Sequence, residues 1–414
     1  MFNALTWLFL GALLAASATR LWLSWRQVRH VRAHRGAVPQ TFAEAIPLSA
    51  HQKAADYTVE KTRLGMLEVL VGAAVLVALT LGGVIDWLHT QWGRVADPGG
   101  LWHGVALIAS AMVLLALIDL PLSLYRTFVI EQRYGFNRMS ARLFIADLAK
   151  QALLAAALGI PLLLLVLWLM QRMGSLWWLY VWLAWMAFNV LVLLAFPTFI
   201  APLFNRFSKL EDPSLAARIE SLLKRCGFRA SGLYVMDGSK RSSHGNAYFT
   251  GFGAAKRIVF FDTLLSRLAP PEVEAVLAHE LGHYRLHHVW KRIALLFAAS
   301  AAFLWVLGQL IEKPWFYDGL GVSQPSTAAA LLLFLLVVPV FTFFLHPLST
   351  LYSRRHEFEA DAYAAQHADS AELVRALVKL YQDNAATLTP DPLHSAFYDS
   401  HPPAAVRIAR LRAA

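Results

Sequence analysis

The segment Pro271-Glu272-Val273-Glu274-Ala275-Val276-Leu277-Ala278-His279-Glu280-Leu281-Gly282-His283 decides how this chain is read. A proline and two acids open it, and small and apolar residues follow, which is the pattern of a helix with a negatively charged first turn. Histidines four apart then share one face. Two neutral imidazoles so placed can hold one Zn²⁺ at about 2.0–2.1 Å, and the adjacent Glu280 stands beside the metal as general base for an attacking water. The competing reading is an amphipathic helix with ordinary histidines. It leaves three polar side chains on a partly apolar helix in need of partners, which a metal supplies at once.

A catalytic zinc needs a third protein ligand and an open position. An extended histidine motif would place its third histidine at position 289, which is valine. His287 lies one turn further along the same helix and closes a tetrahedron poorly, so His287 and His288 are expected to cap or solvate the helix end. The stronger candidate is Ser353-Arg354-Arg355-His356-Glu357-Phe358-Glu359-Ala360-Asp361. Glu357 and Asp361 are four apart, so on a helix one carboxylate can bind the metal while the other accepts a hydrogen bond from a ligand imidazole. Glu359 is expected to point away from that face.

These polar motifs are set in an apolar chain. Of its 414 residues, 57% are hydrophobic and 15% charged, against about 25% charged in ordinary soluble domains. Apolar stretches long enough to cross a bilayer fall at about 4–25, 65–87, 103–125, 151–171, 177–200, 292–311 and 328–349. The first is followed by Arg20, Arg26, Arg29, Arg32 and Arg35, a run that resists export, so it is read as an uncleaved anchor despite the small residues Ala16-Ser17-Ala18. The net charge of +10 lies between the apolar stretches rather than in one stripe, so a membrane partner is expected and a nucleic acid is not.

Basic loops at 26–64 and 126–146, with only Arg94 in the loop at 88–101, place the N-terminus outside. The polar segments then both face the cytoplasm, and the Ala, Leu and Trp usage suggests a bacterial inner membrane. The expected organisation is a membrane region at 1–200, a first part of a zinc domain at 201–291, two more spans at 292–349 and the second part at 350–414. Glu68, Asp86 and Asp119, within or at the ends of the apolar stretches, imply a wet interior or pairs between helices. Cys226, the only cysteine, is read as a small buried hydrophobe.

Two further motifs complete the pattern: His244-Gly245-Asn246-Ala247-Tyr248-Phe249 with Arg257-Ile258-Val259-Phe260-Phe261-Asp262-Thr263-Leu264, and Glu131-Gln132-Arg133-Tyr134-Gly135-Phe136-Asn137. With the two above, they make the chain resemble the integral-membrane gluzincins that include the type I CaaX prenyl proteases, and more distantly the heat-shock membrane proteases. The resemblance implies an α-helical barrel of seven tilted spans around a water-filled chamber, capped by a split α+β zincin-like domain. It implies Glu357 as third zinc ligand and Asp361 as its orienting partner. Gly245 to Phe249 reads as an edge strand, and the resemblance gives Asn246 and Ala247 the role of pairing with substrate backbone. It likewise gives His401, in His401-Pro402-Pro403, a role at the oxyanion, with Arg407 orienting.

The function expected is a membrane-embedded zinc metalloendopeptidase of CaaX prenyl protease type, with one zinc per chain and a lipidated or membrane-associated peptide substrate. Because bacteria do not generally make prenylated CaaX proteins, broader quality-control cleavage is the alternative. A transporter or scaffold with structural zinc is the reading outside enzymes, and it gives Glu280 nothing to do.

Overall fold

The computed structural model describes residues 2–250 and 257–413. Among the described residues, seven helical segments are long and apolar enough to cross a membrane. The first five are α1 (Ala4–Ala33), α2 (Leu48–Leu79), α3 (Leu101–Tyr125), α4 (Ala141–Arg172) and α5 (Trp177–Ala195). After the domain helices α6 (Pro213–Arg225) and α7 (Pro270–Arg285) come α8 (His288–Leu310) and α9 (Thr327–Thr342). The last runs through one short 3₁₀ turn into α10 (His346–His367), and α11 (Ser370–Asp383) and α12 (Ala404–Ala413) follow.

The spans close into a ring, each packing on the next: α1 on α2, α2 on α3, α3 on α4, α4 on α5, α5 on α8, α8 on α9, and α9 back on α1. Their shared core lies at one end. It gathers Phe9 and Leu107 from the starts of α1 and α3, Leu79 and Leu167 from the ends of α2 and α4, and Ala329 to Leu333 from α9. Gly104 permits the closest approach there, since a Cβ would stand 2.9 Å from Leu167 Cδ1 and 3.0 Å from Ala328 Cβ. Toward the other end α4 buries only Asp147 before Val166, and α8 only His288 before Leu307, whereas α1 and α2 stay packed on each other through Val31, Ala55 and Val59. The barrel therefore has a packed floor and is loosely packed above it on the α4 and α8 side.

Two of the three expected ionisable residues, Glu68 and Asp86, find partners, while Asp119 lines a cavity beside Glu68. Glu68 pairs with Arg126, and both Asp86 oxygens accept from Ser323 N, at 2.9 and 3.0 Å. The first span is longer than its apolar run, because no glycine or proline stands between Arg26 and Gly36. Its arginines are used: Arg26 pairs with Asp391 at 2.9 Å, and Arg35, just past its end, with Asp56 at 2.8 Å.

Above the barrel lies a four-stranded sheet in the order β1-β2-β4-β3, with β1 at Phe207–Lys209, β2 at Gly232–Met236, β3 at Ala247–Thr250 and β4 at Arg257–Phe261. β2 and β4 are parallel and the outer pairs antiparallel. β3 ends the sheet, in keeping with the alternating edge pattern read at 245–249. One core joins Leu215, Ile219 and Leu222 of α6, Phe260 of β4 and Leu277 of α7 to Leu373, Leu377 and Leu411 of α11 and α12. No loop separates the last span from the downstream carboxylates: the boundary expected at 350 falls inside α10, because Pro347 occupies a first-turn position that a helix accepts. Cys226 is half-buried against this core.

Candidate active site

The histidine helix α7 starts as its composition dictates. Pro270 and Pro271 occupy the first turn, and the Glu272 carboxylate accepts from Ala269 N at 2.7 Å, satisfying an amide that the helix leaves open. Helix α10 buries Ser353, Glu357, Ala360, Asp361 and Ala364, a stripe at helical spacing that faces α7. Gly282 lets the two helices touch: a Cβ there would meet Ala360 Cα at 3.0 Å and Tyr363 Cβ at 3.1 Å. Both helices are continuous with membrane spans, α7 into α8 through left-handed His287 and α10 from α9. The site is thus fixed at the mouth of the barrel.

On this contact His279, His283 and Glu357 come together. His279 Nε2 lies 3.2 Å from His283 Nε2 and 3.5 Å from Glu357 Oε2, and His283 Nε2 lies 3.2 Å from Glu357 Oε1. The opposite faces of the rings are held. His279 Nδ1 meets Asp361 Oδ1 at 2.9 Å, and Arg407 donates to the same carboxylate through Nε at 2.9 Å and Nη2 at 2.6 Å. Arg407 is buried, like Glu357 and Asp361, and its Nη1 stands 3.6 Å from Glu357 Oε2.

The partners dictate the protons. Asp361 draws the His279 proton to Nδ1. His283 Nδ1 lies 3.0 Å from His288 Nδ1, and His288 Nε2 lies 3.0 Å from Glu359 Oε2, so His288 donates from Nε2–H to the Glu359 carboxylate and its Nδ1 is left to accept from His283. Both Nε2 atoms then face one another and a carboxylate with lone pairs, and Glu357 Oε2 is buried without a hydrogen-bond partner. Three lone-pair bearers at such spacing repel unless a cation stands between them. Bonds of 2.0–2.1 Å at tetrahedral angles put ligand nitrogens about 3.3 Å apart, which this donor set matches.

The surrounding electrostatics favour a positive centre. Burial pushes the His279 imidazole down, but hydrogen bonds to Asp361 and Glu357 outweigh it and raise the group to about 9. Burial raises the Glu280 carboxyl, opposed by His279 and His283, and among the described residues no hydrogen bond holds it. His401 Nε2 approaches Glu357 Oε1 to 3.4 Å with 60% of its side chain accessible. Its Nδ1 lies 3.0 Å from Ser400 Oγ, and the protein around the ring keeps it below the ordinary imidazole value.

Asn246 and Ala247 are not hydrogen-bonded to this cluster. Ala247 opens β3, which packs on α7, and Asn246, just before it, accepts at its O from Phe261 N at 2.9 Å. The Glu131 to Asn137 motif docks beside them: Phe136 stacks on His244 with ring centres 4.5 Å apart, and Glu131 faces His244 Nε2 at 3.6 Å.

Sequence reasoning missed the roles of His288 and Glu359. His288 is buried instead of solvating a helix end, and Glu359 turns toward it because α8 crosses the flank of α10. The signal available was the doublet His287-His288 at the end of the motif. His356 lies flat on His288, with ring centres 3.9 Å apart and planes within 7°, so stacking accounts for its burial.

Comparison with known proteins agrees with this geometry. The family model for the CAAX prenyl protease N-terminal region, five membrane helices, matches residues 27–206, and that for peptidase family M48 matches 209–414. The chain is 33% identical over 381 residues to the CAAX prenyl protease 1 homolog of Arabidopsis thaliana, covering 90% of this chain and 89% of the relative. It is 36% identical over 335 residues to CAAX prenyl protease 1 of Saccharomyces cerevisiae, covering 75% and 74%. It is 31% identical over 450 residues to the human homolog, covering 97% and 95%. Among solved structures, that of S. mikatae Ste24p matches with a TM-score of 0.92 and 28% identity, covering 99% of this chain and 100% of that one. The chain therefore belongs to peptidase family M48, as a multi-pass membrane metallopeptidase of the CAAX prenyl protease type.

Proposed function

We propose that one zinc ion per chain is held by His279, His283 and Glu357, and that the enzyme cuts peptide bonds of lipidated or membrane-associated proteins at the mouth of its barrel. One observation carries this reading: two imidazole nitrogens and a carboxylate converge within 3.2–3.5 Å of one another. Zinc, when bound, supplies Lewis acidity where a water attacks the peptide carbonyl. Glu280, unpaired and raised by burial, takes the proton of that water and returns it to the leaving amine.

The remaining residues hold geometry and charge. Asp361 keeps the His279 proton on Nδ1, and Arg407 offsets the charge of Asp361 and Glu357. Ser400 Oγ donates to His401 Nδ1, which leaves Nε2–H to donate to the oxygen on which charge develops. Asn246 and Ala247 lead into the edge strand β3, where an extended substrate can add to the sheet. The basic loops favour a zinc domain on the cytoplasmic side, and the composition favours a bacterial inner membrane.

The test is Glu280→Gln. Cleavage of a quenched peptide is expected to fall by a factor on the order of 10²–10⁴ while zinc stays at one per chain. Undiminished cleavage by the metal-replete variant would remove Glu280 from the mechanism. Zinc closed off by four protein ligands would favour a structural metal.

A further inference from the structure

Helix α10 meets its neighbours on three sides. Its buried stripe through Glu357 and Asp361 faces α7. Ser353 Oγ accepts from Arg292 of α8 at 3.4 Å, and on the other flank Thr350 and Arg354 donate to Ala396 and Ser395 of the short helix Pro392–Tyr398, which packs on α1. Because α8 and α1 are the adjoining walls of the ring, the α7 side between them looks inward and the fourth side looks out of the barrel. That side carries Leu345, Leu348 and Leu351 at helical spacing, each more than half exposed. On the outside of a membrane helix such a stripe meets lipid.

The stripe ends in positive charge. Arg355 stands one turn beyond Leu351, with 77% of its side chain accessible. Arg292, which touches Ser353, opens the apolar run of α8, so residues 353–355 stand where the spans leave the bilayer. At that level a groove of about 650 Å³ opens between α10 and α12, with Leu351, Phe358 and Val406 as apolar walls. Arg354, Arg355 and Arg410 line it with a single acid, Glu359, which is divided between Arg355 at 2.9 Å and His288 at 3.0 Å. Arg354 is held by the carbonyls of Ser395 and Asp399, which leave its charge unneutralised. Arg410 has no carboxylate partner among the described residues, and its guanidinium lies over the Phe358 ring at 3.9 Å.

We propose that this groove binds the headgroup phosphate of one anionic phospholipid, whose acyl chains run down the outer face of 345–351. Guanidinium groups hold a phosphate in paired bonds, and basic residues at the end of a span draw anionic lipids. The apolar stripe directly below the arginines selects a lipid, since a free phosphate or an acidic peptide would leave it uncovered. The site lies on the outer surface and does not rest on the peptidase reading. It reaches the metal cluster through the chain: Phe358, Pro402 and Val406 line the groove and adjoin Glu357, His401 and Arg407 in sequence. A lipid that bridges Arg355 and Arg410 therefore holds α12 against α10.

The test counts bound lipid. Full-length protein in detergent is titrated with phosphatidylglycerol or phosphatidylcholine of the same chains, and complexes are resolved by native mass spectrometry. The first phosphatidylglycerol is expected to bind about tenfold more tightly than phosphatidylcholine, and Arg410→Met should cut that preference about fivefold, with Arg410→Lys restoring part of it. Arg94→Met, at the floor end, should leave it unchanged. Should Arg410→Met melt early, Val406→Glu, on an exposed position of the groove wall, should lower the preference in the same way. Equal binding of the two lipids, or a preference that Arg94→Met lowers as far as Arg410→Met does, overturns the site. Loss of the preference to added inorganic phosphate would assign the arginines to free phosphate, and displacement of the lipid by a glutamate-rich peptide would assign them to a protein segment; either overturns the lipid. In nanodiscs, phosphatidylglycerol should slow amide exchange over 404–413 in wild type and not in Arg410→Met, and exchange that it leaves unchanged would detach the groove from the metal cluster.

Discussion

Metal affinity at this site depends on which nitrogen of each imidazole carries its proton, and the two ligands are set differently. Asp361 acts on His279 directly, while Glu359 acts on His283 through His288. Asp361→Asn is expected to weaken zinc binding about 10–100-fold, and Glu359→Ala by less, as read by competition with a chromophoric chelator. An unchanged affinity in both would mean that the rings are held by packing alone. The metal-free site has its own signature. A histidine raised in the fold from 6.5 to about 9 contributes stability that is present below 6.5 and lost as pH climbs through about 9. The raised Glu280 carboxyl acts in the same direction. Chelated protein should therefore be less stable at pH 9.5 than at pH 6.5 by on the order of 3 kcal/mol, whereas zinc-loaded protein should lack this loss. Thermal unfolding at the two values checks it, and a chelated protein that melts higher at pH 9.5 would contradict the assignment.

Between elements, the closest constraint is the contact of α7 with α10. Gly282→Ala places a methyl 3.0 Å from Ala360 Cα and 3.2 Å from Ala360 O, backbone atoms that cannot rotate away. The helices must part by a few tenths of an ångström, at about 1–3 kcal/mol, and the histidines then move away from Glu357. Zinc affinity and melting temperature should fall together. Gly159→Ala in α4, where a Cβ meets nothing within 4 Å, should change neither. A Gly282→Ala protein with normal zinc affinity would show that the cluster tolerates the separation. Helix α7 was legible because spacing, cap and charge all lie within thirteen residues. The route from Glu359 to His283 was not, since its members are 71 residues apart and only the crossing of α8 with α10 joins them. Hydropathy changes near 350, where the domain boundary was drawn, but the helix runs on through it.

For the whole molecule, the seven spans and the shared core of the two polar segments follow from the hydropathy profile, because a bilayer demands long apolar helices and a soluble core demands amphipathic ones. The packed floor of the barrel was not legible, since residues facing lipid, chamber and neighbouring helix are all apolar and periodicity is lost. Orientation rests on charge alone. Arg26 to Arg35 and Arg126 to Arg142 lie at the zinc-domain end, and Arg94 at the floor end. This predicts a definite labelling pattern. Replacing Cys226 with serine leaves no cysteine, and single cysteines at Asp97→Cys, in the turn between α2 and α3, and Glu211→Cys, ahead of α6, then report opposite ends of the molecule. In intact expressing cells an impermeant maleimide should modify Asp97→Cys, while Glu211→Cys should react only after the membrane is opened. The reverse pattern would put the zinc domain outside, and the substrate would then have to be sought among extracytoplasmic peptides.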